Sequence, residues 1–321
     1  MNDELVVAVT QAPAVEALRL LLADSRSAET RAAYEQDLTD FFRWRGCENP
    51  TQEAVVELCS RPSAHLALAL NGYKLHLRDR GLAEATINRR LAALRSLLRM
   101  ARRLGAACPD PAGLVSGEKV KPYRDTRGPA IAEVARLLQA PDRETVRGKR
   151  DYALLLLLCE NALRRGELHR CDVGDFAPEE LRLFIRGKGS GTQKEPVTIS
   201  SASVAAVAEY LNARGCPAPE EPLFCNLARF SDGTHRLTGR GIYHIVNTYG
   251  MRVLRRKLRP HALRHMAITA YLDATGGNLR GAQRLSRHVD LRTLQKYDDN
   301  RQDLQGAATN LLSVFLGSRG E

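Results

Sequence analysis

The chain lacks the sequence features of exported, membrane-spanning and disordered proteins. No apolar run approaches the roughly 18 residues that span a bilayer, and the longest clear one, Ala153–Cys159, suits a buried helix. Asp3 and Glu4 stand where a signal peptide carries positive charge, so we expect no export. Hydrophobic residues make up 44% and charged residues 26% of the sequence, which excludes wholesale disorder and a collagen-like fibre. We therefore expect a folded protein of the cytoplasm.

Cysteine pairs with the spacing of a disulfide framework or a metal site are also missing. The 7 cysteines are odd in number and scattered, and no C-x-x-C motif occurs. This pattern favours reduced thiols over a disulfide framework. A structural zinc site has no ligand spacing behind it. We expect no metal and no other cofactor.

Negative charge is the scarcer sign. Lys and Arg total 48 against 37 for Asp and Glu, so the formal charge is +11. Such an excess indicates a polyanionic partner, with nucleic acid the first candidate and an anionic membrane surface the second. The length of 321 residues favours two domains.

Local patterns divide the chain into a helical first half and a mixed second half. Helices are indicated near 15–22, from a cap at Ser27, and at 64–80 and 86–104. After a stretch rich in Pro, Gly and charge, two segments alternate as strands do, on either side of a Gly-rich turn: 180–186 and 195–200. The remainder has helical periodicity. The predicted fold class is mainly α with a small antiparallel β-sheet in the second domain (α+β).

The helix at 86–104 separates apolar side chains from arginines. Its apolar stripe comprises Ile87, Leu91, Leu94, Leu98 and Ala101. Its basic residues are Arg89, Arg95, Arg99, Arg102 and Arg103. No Asp or Glu stands at the i, i+4 spacing that would pair with them, which favours contact with DNA phosphates over a merely solvated face. A second basic run, RVLRRKLR at 252–259, adds three candidate DNA-binding residues: Arg255, Arg256 and Lys257.

Two positions in the second half have the residue types of a phosphate site. Arg164 follows the apolar helix, and Glu167 comes three residues later, where it can hold the guanidinium. Lys188 lies in a Gly-Lys-Gly turn between the predicted strands, where glycines allow close approach to another molecule. Taken alone, each pattern is more often that of an ordinary surface residue.

Two further clusters lie towards the carboxyl end. On a helix, His261, Arg264 and His265 share one face. A zinc protease helix would need a Glu where Ala262 stands, so the histidine pair does not indicate zinc. The second cluster, LSRHVDLRTLQKY, contains His288 and ends at Tyr297.

Together these residues suit one reaction. Two arginines and two histidines can hold the non-bridging oxygens of a phosphodiester, a lysine can protonate a leaving oxygen, and a tyrosine hydroxyl can attack phosphorus. The set contains no carboxylate clamp for Mg²⁺. It therefore predicts phosphoryl transfer in which cationic side chains stabilise the charge that a metal ion would otherwise stabilise.

The order and spacing of these residues resemble those of the tyrosine recombinases, also called the phage integrase family. Separations of 3, 24 and 9 residues link His261, Arg264, His288 and Tyr297 in turn. RRGEL resembles the first motif of the family, HALRH the second and LSRHVDLRTLQKY the third. The resemblance extends over nearly the whole chain. It implies an N-terminal extension at 1–27, a helical core-binding, SAM-like domain at 28–107, a linker at 108–128 and a catalytic domain at 129–321.

The resemblance also implies a role for each residue. Tyr297 is the nucleophile that forms a 3′-phosphotyrosyl link, and Lys188 is the general acid for the 5′-oxygen. Arg164 and Arg264 bind the scissile phosphate. His261 assists proton transfer from the tyrosine, and His288 donates a hydrogen bond to the phosphate. Glu167 orients the first arginine, and His265 orients the second-motif helix.

Two neighbours of these residues depart from the family pattern. Ala162 stands where many relatives have Gly before Leu-Arg, and Arg287 stands where Gly often precedes the histidine of the third motif. We expect both to affect local backbone geometry without changing the chemistry.

The segment after Tyr297 carries an apolar helical stripe: Leu304, Ala308, Leu311, Leu312 and Phe315. This helix either packs on its own domain or, as the resemblance suggests, docks in a neighbouring protomer. The implied partners are double-stranded DNA at a specific recombination site and further copies of the chain, with a dimer on each site and a tetramer in the synapse. The implied location is the nucleoid, and no membrane is involved.

The favoured function is site-specific DNA recombination without metal or ATP, by integration, excision or resolution of a DNA element. A type IB topoisomerase uses the same constellation and is the alternative enzyme. A catalytically silent DNA-binding factor is the alternative outside enzymes, although simple binding has no need of Tyr297.

Overall fold

The computed structural model describes residues 14–24, 28–120, 128–187, 191–227, 234–288, 290, 294 and 304–317. The chain divides into two units, Met1–Lys121 and Pro122–Glu321. Helices dominate both, and one small antiparallel sheet lies in the second, so the predicted fold class is confirmed. None of the helices within the described ranges is both long and apolar enough to cross a membrane.

The first unit is a bundle of helices around one apolar core. Its helices are α1 (14–24), α2 (Ala28–Trp44), α3 (Gln52–Cys59), α4 (Ser63–Asp79) and α5 (Glu84–Arg103). The predicted stripe of α5 is buried from Ile87 to Ala101, as its periodicity requires. Phe41 of α2 and Tyr73 of α4 pack edge to face in the same core. The proposed cap at Ser27 lies outside the described residues.

The end of α5 shows how a glycine stops a helix. Gly105 has φ +96°, a left-handed conformation that L side chains rarely adopt. The Ala106 amide then donates back to the Ala101 carbonyl at 3.0 Å, which closes the final turn.

Residues 106–120, which include the start of the predicted linker, pack on the first unit. Val115 is buried in its core. Glu118 accepts two hydrogen bonds from Arg78, at 2.8 and 2.9 Å, and lies 3.3 Å from the Lys74 ammonium. The Asn88 amide donates to the Glu118 carbonyl at 2.9 Å. This part of the stretch is therefore attached to α4 and α5, while the domain boundaries drawn from the sequence stay a prediction.

The second unit surrounds a helix that is buried along most of its length. Its helices are α6 (Ile131–Leu138), α7 (Val146–Glu160), α8 (Arg165–His169), α9 (Ser201–Ala213), α10 (Gly239–Tyr249), α11 (Pro260–Ala274), α12 (Leu279–Ser286) and α13 (Leu304–Gly317). The leucines of α7 contact the core on all sides, which suits a helix packed between α9 and α11. A short π-helical segment, Gly250–Leu254, continues α10.

The sheet has three antiparallel strands in the order β1 (Phe176–Ala177), β2 (Arg182–Ile185) and β3 (Glu195–Thr198). Leu183 pairs with Phe176 on one side and with Val197 on the other. The two predicted strands are confirmed with slightly shorter bounds. The sequence pattern missed β1, because two residues are too few to show an alternation.

Candidate active site

Arg164 is placed by the break between α7 and α8. It is the residue before α8, and its own amide donates to Glu167 Oε2 at 2.8 Å while its guanidinium donates to Glu167 Oε1 at 2.5 Å. Glu167 is fully buried. Burial alone would raise the pKa of Glu167, but Arg287 and Arg164 outweigh it and hold the pKa below the ordinary value. An ionised carboxylate therefore holds the guanidinium of Arg164.

Arg264 is held from a different direction. Its side chain is only 1% exposed. One guanidinium nitrogen donates to the Ala162 carbonyl, and another donates to the Ser286 carbonyl. Because carbonyl oxygens carry no net charge, they orient this cation without neutralising it.

His288 lies between Ser286 and Arg264. Its Nε2 is 3.3 Å from the Arg264 guanidinium, and its Nδ1 is 2.8 Å from Ser286 Oγ. A guanidinium only donates hydrogen bonds, so this geometry assigns the ring proton to Nδ1 and makes Nε2 the acceptor. Burial, Arg264 and Arg164 lower the pKa of His288 to about 4. The ring is therefore neutral near pH 7 while no anion is bound.

His261 stands at the beginning of α11, directly after Pro260, which suits the first helical position. Its side chain is exposed at the surface of the site. Partial loss of hydration, Arg264 and Arg164 lower the pKa of His261. Cations on two elements thus act on both histidines.

An open cleft of about 580 Å³ gives access to three of these side chains. Arg164, Arg264 and His261 line it, together with two further arginines, Arg165 and Arg259. Its remaining lining residues are Leu163, Gly166, Tyr243 and Pro260. A site with this many cations suits an anionic substrate that is held through several oxygens at once.

The chain is similar to known proteins over most of its length. Residues 131–303 match the model of the phage integrase family, and residues 18–105 match the phage integrase N-terminal SAM-like domain. A tyrosine recombinase of Synechococcus elongatus is 47% identical over 303 residues, which are 94% of this chain and 94% of that relative.

The chain belongs to the phage integrase family of tyrosine recombinases. A tyrosine recombinase XerC of Pelobacter propionicus is 33% identical over 292 residues, covering 88% of this chain and 89% of that relative. Among solved structures, XerH recombinase bound to a palindromic difH substrate superposes with a TM-score of 0.64, 17% identity and coverage of 94% and 95% of the two chains. A lambda integrase dimer bound to a COC′ core site gives a TM-score of 0.60, 16% identity and coverage of 94% and 83%. These two structures share the fold of this recombinase.

The structure brings four of the six predicted catalytic residues of the recombinase to one site: Arg164, His261, Arg264 and His288. The other two, Lys188 and Tyr297, lie outside the described residues, so their placement stays a prediction. His265 is buried below the site, with its Nδ1 3.3 Å from Thr269 Oγ1. Within the described ranges, no three His, Cys, Asp or Glu side chains are grouped as metal ligands would be.

The predicted DNA-binding arginines of α5 differ in their surroundings. Arg89 donates to the buried carboxylate of Asp37, and Arg95 donates to the Val115 carbonyl. Arg102 lies 3.8 Å from Asp110. Arg99 and Arg103 are exposed. These partners belong to α2 and to the stretch after α5, so the residues at i, i+4 on the helix itself do not reveal them.

The second basic cluster lies just before α11. Arg255, Arg256 and Lys257 are all exposed. Arg256 donates to Glu133 Oε2 at 2.7 Å, which neutralises part of its charge. Arg255 has φ +56°, so the chain turns at this residue after the π-helical segment.

The two residues that depart from the family pattern both have a left-handed backbone conformation. Ala162 has φ +46° and Arg287 has φ +55°. A residue with a Cβ pays roughly 1–2 kcal/mol for this conformation, which glycine adopts at little cost. Arg287 was not among the predicted site residues, yet its guanidinium contacts Glu167. The sequence feature that could have indicated its importance is the replacement, at this position, of the glycine common in the family.

Replacing His288 by Gln should make the fold less sensitive to acid. The folded-state pKa of about 4 lies below the ordinary 6.5, so between these values the unfolded chain binds the proton more readily. The stability contributed by neutral His288 is complete above about pH 6.5 and is lost as the pH falls through about 4. We expect a shallower decline of the free energy of unfolding for His288→Gln between pH 7 and 4.5, measured by urea denaturation with circular dichroism.

His244→Gln is the matched control for that comparison, because His244 is exposed on α10. It should follow the wild-type decline. Equal declines for His288→Gln and the wild type would contradict the assigned environment of His288.

Proposed function

We propose that this recombinase cuts and rejoins DNA at a specific site through a covalent 3′-phosphotyrosyl intermediate. The observation that carries the proposal is the pair of guanidiniums, Arg164 and Arg264, which are oriented at one cleft by separate acceptors. Non-bridging oxygens of a phosphodiester match two such forks. Family membership supplies the reaction class.

In the first step, the Tyr297 oxygen attacks the scissile phosphorus and the bond from phosphorus to the 5′-oxygen breaks. A tyrosine hydroxyl has an ordinary pKa of about 10, so it needs a base at neutral pH. Neutral His261 is the proposed acceptor of its proton, and Lys188 is the proposed donor to the leaving 5′-oxygen.

Arg164 and Arg264 stabilise the negative charge that grows on the phosphoryl oxygens. Removing one such donor costs on the order of 3 kcal/mol of barrier, which is about a hundredfold in rate. A bound phosphate also favours a proton on His288, since the anion opposes the effect of the neighbouring guanidiniums. Protonated Nε2 then donates to the phosphate.

The second step is the reverse transfer. A 5′-hydroxyl, from the same duplex or from a second one, attacks the phosphotyrosyl phosphorus and releases Tyr297. One phosphodiester is exchanged for another of similar energy, so neither ATP nor a metal-activated water takes part. Exchange between two duplexes is recombination.

The proposed partner is double-stranded DNA, bound by both units and by further copies of the chain. The XerH and lambda integrase structures both contain DNA, and the second is a dimer on its core site. For this recombinase we propose a dimer on each site, a tetramer in the synapse, and action on DNA in the cytoplasm. The proposed domain boundaries are the extension, core-binding domain, linker and catalytic domain at 1–27, 28–107, 108–128 and 129–321.

Covalent trapping tests the chemistry and the site together. Incubated with sheared genomic DNA from the organism that encodes it, the wild-type chain should yield a protein–DNA adduct that survives denaturant, and the attached DNA should share one sequence. Tyr297→Phe should bind the recovered duplex and form no adduct, because it lacks the attacking oxygen. Adduct formation by Tyr297→Phe would remove Tyr297 from the mechanism. Unaided relaxation of a supercoiled plasmid that lacks the recovered sequence would favour a topoisomerase.

Substitutions at two arginines of α5 should have separate effects, one on DNA binding and the other on stability. Arg99→Gln should lower the slope of log affinity against log salt by about 0.9, the value for one lost phosphate contact, and leave the unfolding midpoint unchanged. Arg89→Gln should lower the urea midpoint, because it removes the guanidinium that donates to the buried carboxylate of Asp37. The fluorescence of Trp44 reports unfolding of the first unit, as this is the chain's one tryptophan. Loss of stability in Arg99→Gln with an unchanged salt slope would contradict the assignment.

The exposed apolar face of α13 is the proposed contact between protomers. Five of its side chains are 58–74% exposed: Leu311, Leu312, Val314, Phe315 and Leu316. A chain ending at Asn300, and the full chain with Leu316→Asp, should bind one duplex normally and assemble poorly on two, as measured by native gel and light scattering. Leu68→Asp, 71% exposed on α4, is the control. Full-strength assembly by both variants would instead indicate packing within one protomer.

A further inference from the structure

Arg287 makes contacts that an ordinary surface arginine does not make. Only 12% of its side chain is exposed. One terminal nitrogen donates to the carbonyls of Leu285 at 2.8 Å and Asn161 at 3.3 Å. The other donates to Glu167 Oε2 at 3.0 Å and to the Ala162 carbonyl at 3.3 Å. The guanidinium therefore joins the end of α12 to the end of α7 and to α8.

Two of these acceptors also hold the phosphate-binding arginines. The carboxylate of Glu167 accepts from Arg164, and the carbonyl of Ala162 accepts from Arg264. Arg287 thus contacts one acceptor group of each arginine. It also directly precedes His288 in the chain.

The backbone conformation of Arg287 indicates that the position of its side chain is important. Arg287 has φ +55°, where glycine would be unstrained. Ala162, whose carbonyl it contacts, is left-handed as well, with φ +46°. A strained residue that persists with its side chain bonded to four acceptors is typical of a site where position matters more than local backbone energy.

We propose that Arg287 is a positioning residue for strand cleavage: through Glu167 and the Ala162 carbonyl it fixes Arg164 and Arg264 relative to each other and to His288. The inference rests on the proposed phosphoryl transfer. Arg287 itself does not touch the phosphate. Its removal should leave both arginines charged and present, but let the distance between them vary.

The test measures single-turnover cleavage of a nicked duplex that carries the sequence recovered by covalent trapping. Arg287→Met should cleave about 10- to 100-fold more slowly, because misplacement of binding groups by about 1 Å costs this much. Its affinity for the duplex should change less than about threefold, since the phosphate contacts remain. Arg287→Lys, which keeps a cation beside Glu167 but cannot reach both acceptors, should recover part of the rate.

Arg287→Gly separates positioning from folding. Glycine relieves the strained φ and removes the guanidinium, so this variant stays informative if the methionine variant folds poorly. A positioning role predicts a full amplitude of covalent product that forms with a reduced rate constant. A merely structural role predicts a reduced amplitude and a normal rate constant, and that result would overturn the inference.

A double-mutant cycle tests whether Arg287 acts through Glu167. In a Glu167→Gln background, Arg287→Met should reduce the cleavage rate by a clearly smaller factor than it does in the wild type. The effects of two residues that act through one network are not additive in free energy. Fully multiplicative losses would overturn the proposed route. Arg280→Met, an exposed arginine at the other end of α12, is the matched control and should cleave at the wild-type rate.

Failure of this inference is distinguishable from failure of the proposed function. If the wild-type chain forms no covalent adduct on any DNA, the proposed function is wrong and this inference fails with it. If the wild type forms the adduct and both Arg287→Met and Arg287→Gly react at the same rate as the wild type, only the role of Arg287 is wrong.

Discussion

Burial of the Arg264 guanidinium is the constraint around which the catalytic unit is arranged. Removing a cation from water costs several kcal/mol unless hydrogen bonds replace the lost hydration. Here the replacement comes from the carbonyls of Ala162 and Ser286, one at the end of α7 and one at the end of α12. Both helix ends must therefore be in place before Arg264 can be buried. Correct folding and assembly of the phosphate site are in this way the same event.

The choice of acceptors decides the electrostatics of the site. A carboxylate beside Arg264 would cancel its charge, whereas carbonyl dipoles orient the charge and leave it available to a substrate. The buried carboxylate of Glu167 is shared by Arg164 and Arg287. Burial, together with the resulting excess of positive charge, lowers the pKa of both histidines. In the proposed reaction, an incoming phosphate opposes this effect, so substrate binding and histidine protonation favour each other.

Arginines of the first unit divide between two tasks. Arg89 and Arg90 face the carboxylates of Asp37 and Asp40; Asp37 and Arg90 are buried, so an unpaired charge there would be destabilising. Arg99 and Arg103 project to the solvent. A basic composition is therefore only an upper bound on the number of cations that can meet a polyanion. Ion pairs within the fold decide which of these cations remain available to a polyanion.

The sequence by itself determined the fold class and the buried stripe of α5, and it supplied the residues that we propose to bind phosphate. Helical periodicity is local, and the chemistry of phosphoryl transfer restricts which residue types can serve. The tertiary structure alone decided what orients those residues. Arg89 meets Asp37 across 52 positions, and Arg287 meets Glu167 across 120. Such contacts, and the left-handed backbone at Ala162 and Arg287, depend on how distant segments pack, and no local pattern of residues encodes that packing.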